Sequence, residues 1–249
     1  MEIAYLFVSF FPQLVADPIV RAAHFLPQLA TRKYFDQIAF QPALTLFLIG
    51  FIKKSCISDN IAFLIDPVFA NPDQYTAISI WIATLFCAVQ IYCEFSGYTD
   101  MAIAVAALLG YKLVLNFNFP YFASNIALFW QRWHISLSTW LRDYLYIPLG
   151  GNRSGKLKTY RNLLITMLLG GLWHGAAWNF VIWGALHDIA LALHRSTTER
   201  LKIPAAIGKS LGMVATFYWV CLTWIFFRCT TLPVALEMAK AYLRHLPIP

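Results

Sequence analysis

An all-α, polytopic membrane fold is predicted by three observations. Hydrophobic residues make up 59% of the 249 positions and charged residues only 12%, against roughly 25% charged in an ordinary soluble domain. The apolar residues recur in long stretches with almost no charge, as bilayer spans do. The basic residues gather between those stretches, at Lys53-Lys54, at Arg153-Lys156-Lys158-Arg161 and at Arg195-Arg200-Lys202-Lys209. Such spacing predicts loop charge facing anionic lipid and the cytoplasm, in a multi-pass protein of the cell membrane. The formal net charge of +7 is not laid out as a continuous basic face on a soluble fold, so nucleic acid is not an expected partner. One membrane domain over residues 1–249 is the simplest count.

In chain order, Ile3 to Ala16 and Ala43 to Ile52 are apolar runs too short for safe spans, and they are expected to be interfacial or re-entrant. The N-terminus has neither the basic region nor the small-residue cleavage site of a signal peptide. It reads as the middle of a longer chain, and the C-terminal Leu-Pro-Ile-Pro without a polar tail suggests truncation there too. Tyr75 to Cys93 is the clearest span, nineteen residues without a charge, about 28 Å long as a helix. Glu94 and Asp100 follow it, then a second apolar run from Met101 to Tyr111; two carboxylates at membrane depth need partners or a watery cavity. Between Asn116 and Asn152 aromatic residues are dense while Arg132, His134, Arg142 and Asp143 interrupt every possible span. That piece suits an interface or a protein-lined cavity, with Pro120 and Pro148 punctuating its ends.

Asn162 to His187 is twenty-six residues without Asp, Glu, Lys or Arg, about 39 Å as one helix. Basic clusters flank it on both sides, which a single crossing cannot reconcile with the positive-inside rule. A re-entrant or broken path is one resolution, and Gly170-Gly171 and Gly175-Ala176-Ala177 beside the central His174 either let backbones approach closely or break the helix. Leu211 to Phe227 is a further span, and Val234 to His245 reads as an amphipathic helix on the membrane surface.

GxGxxG, the P-loop, GxSxG and HExxH are all absent, which removes the usual nucleotide, serine-hydrolase and zincin readings. The five cysteines lie in or beside apolar stretches without CxxC or metal spacing, as small buried hydrophobes do. Histidine remains. A neutral imidazole at His174, central in an apolar run, can take a proton from a hydroxyl; a packing role is the alternative that residue physics leaves open. His134, in Trp130-Gln131-Arg132-Trp133-His134, reads by itself as a structural interfacial histidine. His187 has the neighbouring Asp188 as an ordinary partner, and His24, His194 and His245 read as solvated. Leu149-Gly150-Gly151-Asn152-Arg153 is a turn. Arg142 and Asp143 are expected to be buried against something polar.

Three stretches then carry a family resemblance: Phe129-Trp130-Gln131-Arg132-Trp133-His134-Ile135-Ser136-Leu137-Ser138, Trp140-Leu141-Arg142-Asp143-Tyr144 continuing to Arg153, and Leu168-Leu169-Gly170-Gly171-Leu172-Trp173-His174-Gly175-Ala176. Together with Gln90 to Ile103, Asn116-Phe117 and Trp224 to Arg228, they resemble the membrane-bound O-acyltransferase (MBOAT) family, in the bacterial branch of alginate O-acetylation proteins. Family members are commonly longer, so the resemblance implies that helices are missing at both ends. It implies a helical bundle with re-entrant or interfacial helices and transfer of an acyl group, acetyl in the simplest case, onto a hydroxyl. His174 matches the invariant family histidine and His134 the second signature position, with Trp130, Arg132, Trp133, Arg142, Asp143 and Trp173 as expected substrate-binding residues. The implied donor is acetyl-CoA or another acyl thioester from the cytoplasm, with no bound cofactor and no metal. The implied acceptor is an extracytoplasmic polysaccharide, reached with an extracytoplasmic acyltransferase partner protein in a bacterial inner membrane. Three positions depart from the family pattern: Asp17 where Gly is usual, Leu128 where an acidic residue is usual, and Gln131 where Arg is usual. A proton-coupled channel or transporter using His174, Glu94 and Asp100, and an inactive truncated homologue, are the rival readings.

Overall fold

The computed structural model describes residues 2–13, 18–153, 155–198 and 205–244. Asp17, Arg200, Lys202 and His245 lie outside them. Among the described residues the chain is all helix and turn, with no strand. Eleven α-helices follow in order: α1 (Glu2–Val8), α2 (Ala22–Leu29), α3 (Phe40–Phe51), α4 (Asp59–Ala70), α5 (Ala77–Leu108), α6 (Ile126–Arg132), α7 (Ile135–Leu141), α8 (Lys156–His174), α9 (Trp178–Thr198), α10 (Ala205–Arg228) and α11 (Leu232–Leu243). Two of them, α5 and the Gly208–Arg228 part of α10, are long and apolar enough to cross a membrane by length and composition.

The expected Tyr75–Cys93 span and the Met101–Tyr111 run are one continuous helix, α5, of 32 residues. Thr76 starts it by accepting a hydrogen bond from the Ser79 amide at 3.2 Å, which satisfies one of the free N–H groups of the first turn. Glu94 and Asp100 do not end the helix because their partners come from outside it. Asp100 takes Lys53 Nζ at 2.6 Å, and Glu94 accepts from Gln90 and lies 3.5 Å from the Ser58 hydroxyl.

Those partners correct the reading of Lys53-Lys54 as loop charge. Both lie in a π-helical segment, Ile52–Ser58, that joins α3 to α4 without a break. The Ala43–Ile52 run is thus part of a helical stretch from 40 to 70 that packs along α5. The two helical segments are in close backbone contact at Gly50 and Gly97, where a Cβ on Gly50 would sit 2.7 Å from the Gly97 carbonyl oxygen. A charge in mid-helix looks like a loop in sequence, and here the opposite charge on α5 makes it a contact.

The Asn162–His187 run takes a broken path. α8 ends at His174 and α9 starts at Trp178, and the two fold back on each other as an antiparallel hairpin. A Cβ on Gly171 would collide with the Phe180 carbonyl, and one on Gly184 with that of Met167, so the helices touch backbone to backbone. At the open end Arg195 Nη1 reaches Asn152 Oδ1 at 3.2 Å. Arg195 and the start of the basic stretch after Asn152 therefore sit at the same end of the hairpin, which removes the conflict with the positive-inside rule for the described residues. His174 is at the tip.

The core gathers where α5, α6, α9 and α10 meet, around the fully buried Phe129, Trp224 and Ile225. α11 is not a lipid-surface helix on its apolar side, because Ala235, Met238 and Tyr242 are completely buried against the protein.

Candidate active site

His134 and His174, forty positions apart, line one cavity. It is enclosed by Phe95, Trp130, Trp133, Leu137, Trp183, Trp224 and Phe227 and holds about 10 Å³, the room of a single water. The His174 ring meets Phe227 and Trp183 edge-on, at 5.0 and 5.3 Å between centroids. The His134 ring lies 6.1 Å from Phe117 and 6.4 Å from Phe95. Among the described residues no Asp, Glu, Lys or Arg lines this space, so the imidazoles act in apolar surroundings, where electrostatic interactions are strong.

Local sequence explains how each imidazole arrives there. Gly175 ends α8 directly after His174, which leaves that ring half-buried at the hairpin tip. His134 is nearly buried, at 3% exposure, between α6 and α7, with a left-handed backbone at φ 46°. That conformation is uncommon for a residue with a Cβ and is held by the surroundings rather than by the residue.

The other sequence-chosen residues divide into four groups. Trp130 and Trp133 are on the cavity wall. Trp173 stacks edge-on beside His174 at 5.2 Å but is 60% exposed. It faces a second, apolar space of about 500 Å³ with Ile19, Leu137, Trp140 and Leu141. Arg142 and Asp143 line a third space of about 280 Å³, together with Arg21, His24 and Lys112. Arg132 lines none of the three; its Nη1 lies 3.5 Å from the Phe122 carbonyl. The three spaces are neighbours, since Leu137 lines both the histidine cavity and the apolar groove and Ile19 lines both the groove and the charged pocket.

In the charged pocket Arg142 Nε donates to Asp143 Oδ1 at 2.6 Å, and Arg21 Nη1 to Oδ2 at 2.6 Å. The Arg142 guanidinium first, then that of Arg21, holds the Asp143 carboxyl well below the usual carboxylate range, at about 2. One carboxylate thus serves two guanidiniums, Lys112 adds a third cation, and Arg21 Nη2 is buried without a hydrogen-bond partner. The pocket is a fit for an anionic group.

His187 belongs elsewhere. It is fully buried and its partner is not Asp188 but the Thr223 hydroxyl, 3.1 Å from Nε2, with the Phe129 ring stacked on it at 6.0 Å. His24 is exposed as expected, whereas His194 is half-buried in α9. Of the positions that depart from the family pattern, Leu128 packs on the core and Gln131 is exposed, and neither lines the histidine cavity. Sequence reading missed Phe95, Leu137, Trp183, Trp224 and Phe227 as wall residues, and Arg21 as the partner of Asp143. Trp224 and Phe227 carry the one usable signal: a three-residue spacing puts them on the same face of α10.

Fold and site together define a multi-pass helical membrane protein whose histidines converge inside an aromatic shell. Residues 3–232 match the membrane-bound O-acyltransferase family, to which this chain belongs. It is 45% identical over 238 residues to the peptidoglycan O-acetyltransferase of Helicobacter pylori, covering 94% of this chain and 45% of that protein. It is 47% identical over 238 residues to the probable alginate O-acetylase of Azotobacter vinelandii, covering 94% and 46%. A more distant likeness, 26% over 249 residues, is to the teichoic acid D-alanyltransferase of Streptococcus thermophilus, covering 89% and 60%. The chain spans about half the length of the two nearer of these relatives.

Proposed function

We propose that this chain carries the transfer centre of an O-acyltransferase that moves an acyl group, acetyl in the simplest case, from a cytoplasmic thioester toward hydroxyls of an extracytoplasmic polysaccharide. The observation that carries the reading is the convergence of His134 and His174 on one water-sized, apolar cavity. In this reading His174 accepts the proton of the acceptor hydroxyl as its oxygen attacks the thioester carbonyl. The carbon–sulfur bond breaks and the thiolate leaves with a proton. His134 orients or stabilises the reacting groups from the opposite segment. The names of the relatives support a glycan acceptor, alginate or peptidoglycan among them, and the family resemblance supports a partner acyltransferase outside the membrane.

The donor, acetyl-CoA or another acyl thioester, would place its anionic part against Arg21, Lys112 and Arg142 and its arm along the apolar groove by Trp173 and Leu137. The thioester would then enter the cavity where Trp130 and Trp133 shape the wall. The cavity's small size means that wall side chains move when the thioester enters. The channel reading has no matching observation, because Glu94 and Asp100 are paired with neighbours and line none of these spaces.

The test is transfer of labelled acetyl from a thioester donor by membranes carrying the full protein. His174→Ala is expected to lower the rate by about 10²- to 10⁴-fold, the usual range for a general base, with abundance and membrane insertion near normal. A variant that keeps a large fraction of the rate would refute the general-base role, and a wild-type protein without transfer would favour an inactive homologue.

A further inference from the structure

The His134 turn is held from a distance. α7 begins directly after His134, yet the His134 side chain makes no capping bond to it. Position 134 is where a helix ordinarily carries Ser, Thr, Asp or Asn, whose oxygen accepts from an amide two or three residues on. Here that oxygen comes from Asn116, which is fully buried in the segment between α5 and α6. Its Oδ1 accepts from the Ser136 amide and the Ser136 hydroxyl, both at 2.9 Å. Its backbone carbonyl accepts from the Ile135 amide at 2.9 Å, and two residues on the Asn118 amide donates to the Arg132 carbonyl at 2.9 Å. The segment therefore grips the chain on both sides of Trp133 and His134.

We infer that Asn116 is a positioning residue for His134: by capping α7 in place of residue 134, it leaves that position free to carry an imidazole into the cavity and holds its left-handed backbone there. A side chain has one job at a time. A histidine aimed at the cavity cannot cap its own helix, and an uncapped helix start beside a left-handed residue would let the ring swing. The Asn116 amide nitrogen reaches the Thr99 hydroxyl at 3.5 Å, so the clamp is anchored on α5. This inference rests on the acyl-transfer reading for its effect on rate, but not for its effect on the turn.

Two measurements on the full protein in membranes separate the two. In the first, Asn116→Leu, which removes the accepting oxygen, is expected to lower the maximal transfer rate by about 10- to 100-fold with the donor KM nearly unchanged. Asn116→Asp, which keeps an accepting oxygen, should recover most of that loss. In a His134→Ala background the further loss caused by Asn116→Leu should shrink to less than about twofold, because the residue acts through His134. An equal loss in both backgrounds, or no recovery with Asp, would overturn the inference. If Asn116→Leu does not accumulate, Asn116→Ser and Asn116→Asp carry the same comparison. The second measurement needs no activity. In a His134→Cys protein, a membrane-permeant maleimide should label position 134 at least about tenfold faster when Asn116 is Leu, while labelling of the buried Cys87 stays unchanged. An unchanged rate at 134 would overturn the clamp even if transfer were intact, and a faster one with no wild-type transfer would leave the clamp standing while the functional reading fell.

Discussion

Two helix pairs in this protein are built around close glycine contacts and differ in what they enclose. The α8–α9 hairpin touches backbone to backbone at Gly171 and Gly184 and carries no Asp, Glu, Lys or Arg from Asn162 to His187. The pair formed by α5 with the stretch from 40 to 70 touches at Gly50 and Gly97, yet next to that contact it holds Lys53, Asp100, Glu94 and Ser58. In the second pair Lys53 and Asp100 meet each other and Glu94 is met by Gln90 and Ser58, and none of them lines the histidine cavity. The first pair presents His174 at its tip to the cavity, whereas its buried His187 is met by the Thr223 hydroxyl of α10. A polar group that is already satisfied within a helix pair is architecture; one delivered to a cavity without a partner in its own pair is a candidate for function.

The largest effect expected from breaking this contrast is at Gly184. Gly184→Leu would drive a side chain into the Met167 carbonyl, part the hairpin and displace His174, so transfer should fall about as far as in His174→Ala, with a clear drop in thermal stability in detergent. Near-normal transfer would show that the hairpin does not set the position of His174. Next is Lys53→Met, which leaves Asp100 without its cation. Breaking a buried pair costs about 3–5 kcal/mol, and because these side chains are 24% and 15% exposed a smaller loss of about 1–3 kcal/mol is expected. Adding Asp100→Leu should restore most of it. Transfer per folded molecule should not change in either variant, and a selective loss of rate would blur the contrast.

A smaller change follows from Thr223→Val, which strips His187 of its hydroxyl partner inside the core. About 1–2 kcal/mol of stability should be lost, read as a shift in the unfolding midpoint, without the loss of rate seen at His174. The smallest effect concerns acid. Because the folded Asp143 carboxyl titrates at about 2, below its unfolded value of about 3.9, its stabilising contribution is complete above about pH 4 and disappears only as pH falls through 2. Any decline in transfer between pH 7 and 5 therefore belongs to other groups, and Asp143→Asn should leave the shape of that limb unaltered whatever it does to the rate.

Much of this was legible in residues. The uncharged run centred on His174 and flanked by basic clusters already conflicts with a single crossing, which would put one cluster on the wrong side; a broken path is one resolution, and the break between α8 and α9 is the one the structure takes. The dense aromatic piece from Asn116 to Asn152 already required a setting other than lipid, since its charges have no place there. Lys53 reads as loop charge because sequence shows a charge but not the carboxylate forty-seven positions away that meets it, and Lys54 beside it pairs with Asp59 inside the same helical stretch. Trp173 is grouped with Trp130 and Trp133 as an expected substrate-binding residue by the resemblance, whereas the structure turns it away from the cavity toward the apolar groove.

The sequence by itself determined the helical membrane class and the family and singled out two candidate histidines, because hydropathy, charge spacing and motif are properties of the chain read in order. The tertiary structure alone decided that those histidines share one cavity, that Asp143 belongs to Arg21 as well as Arg142, and that Asn116 caps a helix by bonding an amide twenty positions downstream of itself. The physical reason is the same in each case. Hydrogen bonds, ion pairs and enclosed volume depend on distances of a few ångströms, and those distances are set by how helices pack rather than by how far apart two residues lie along the chain.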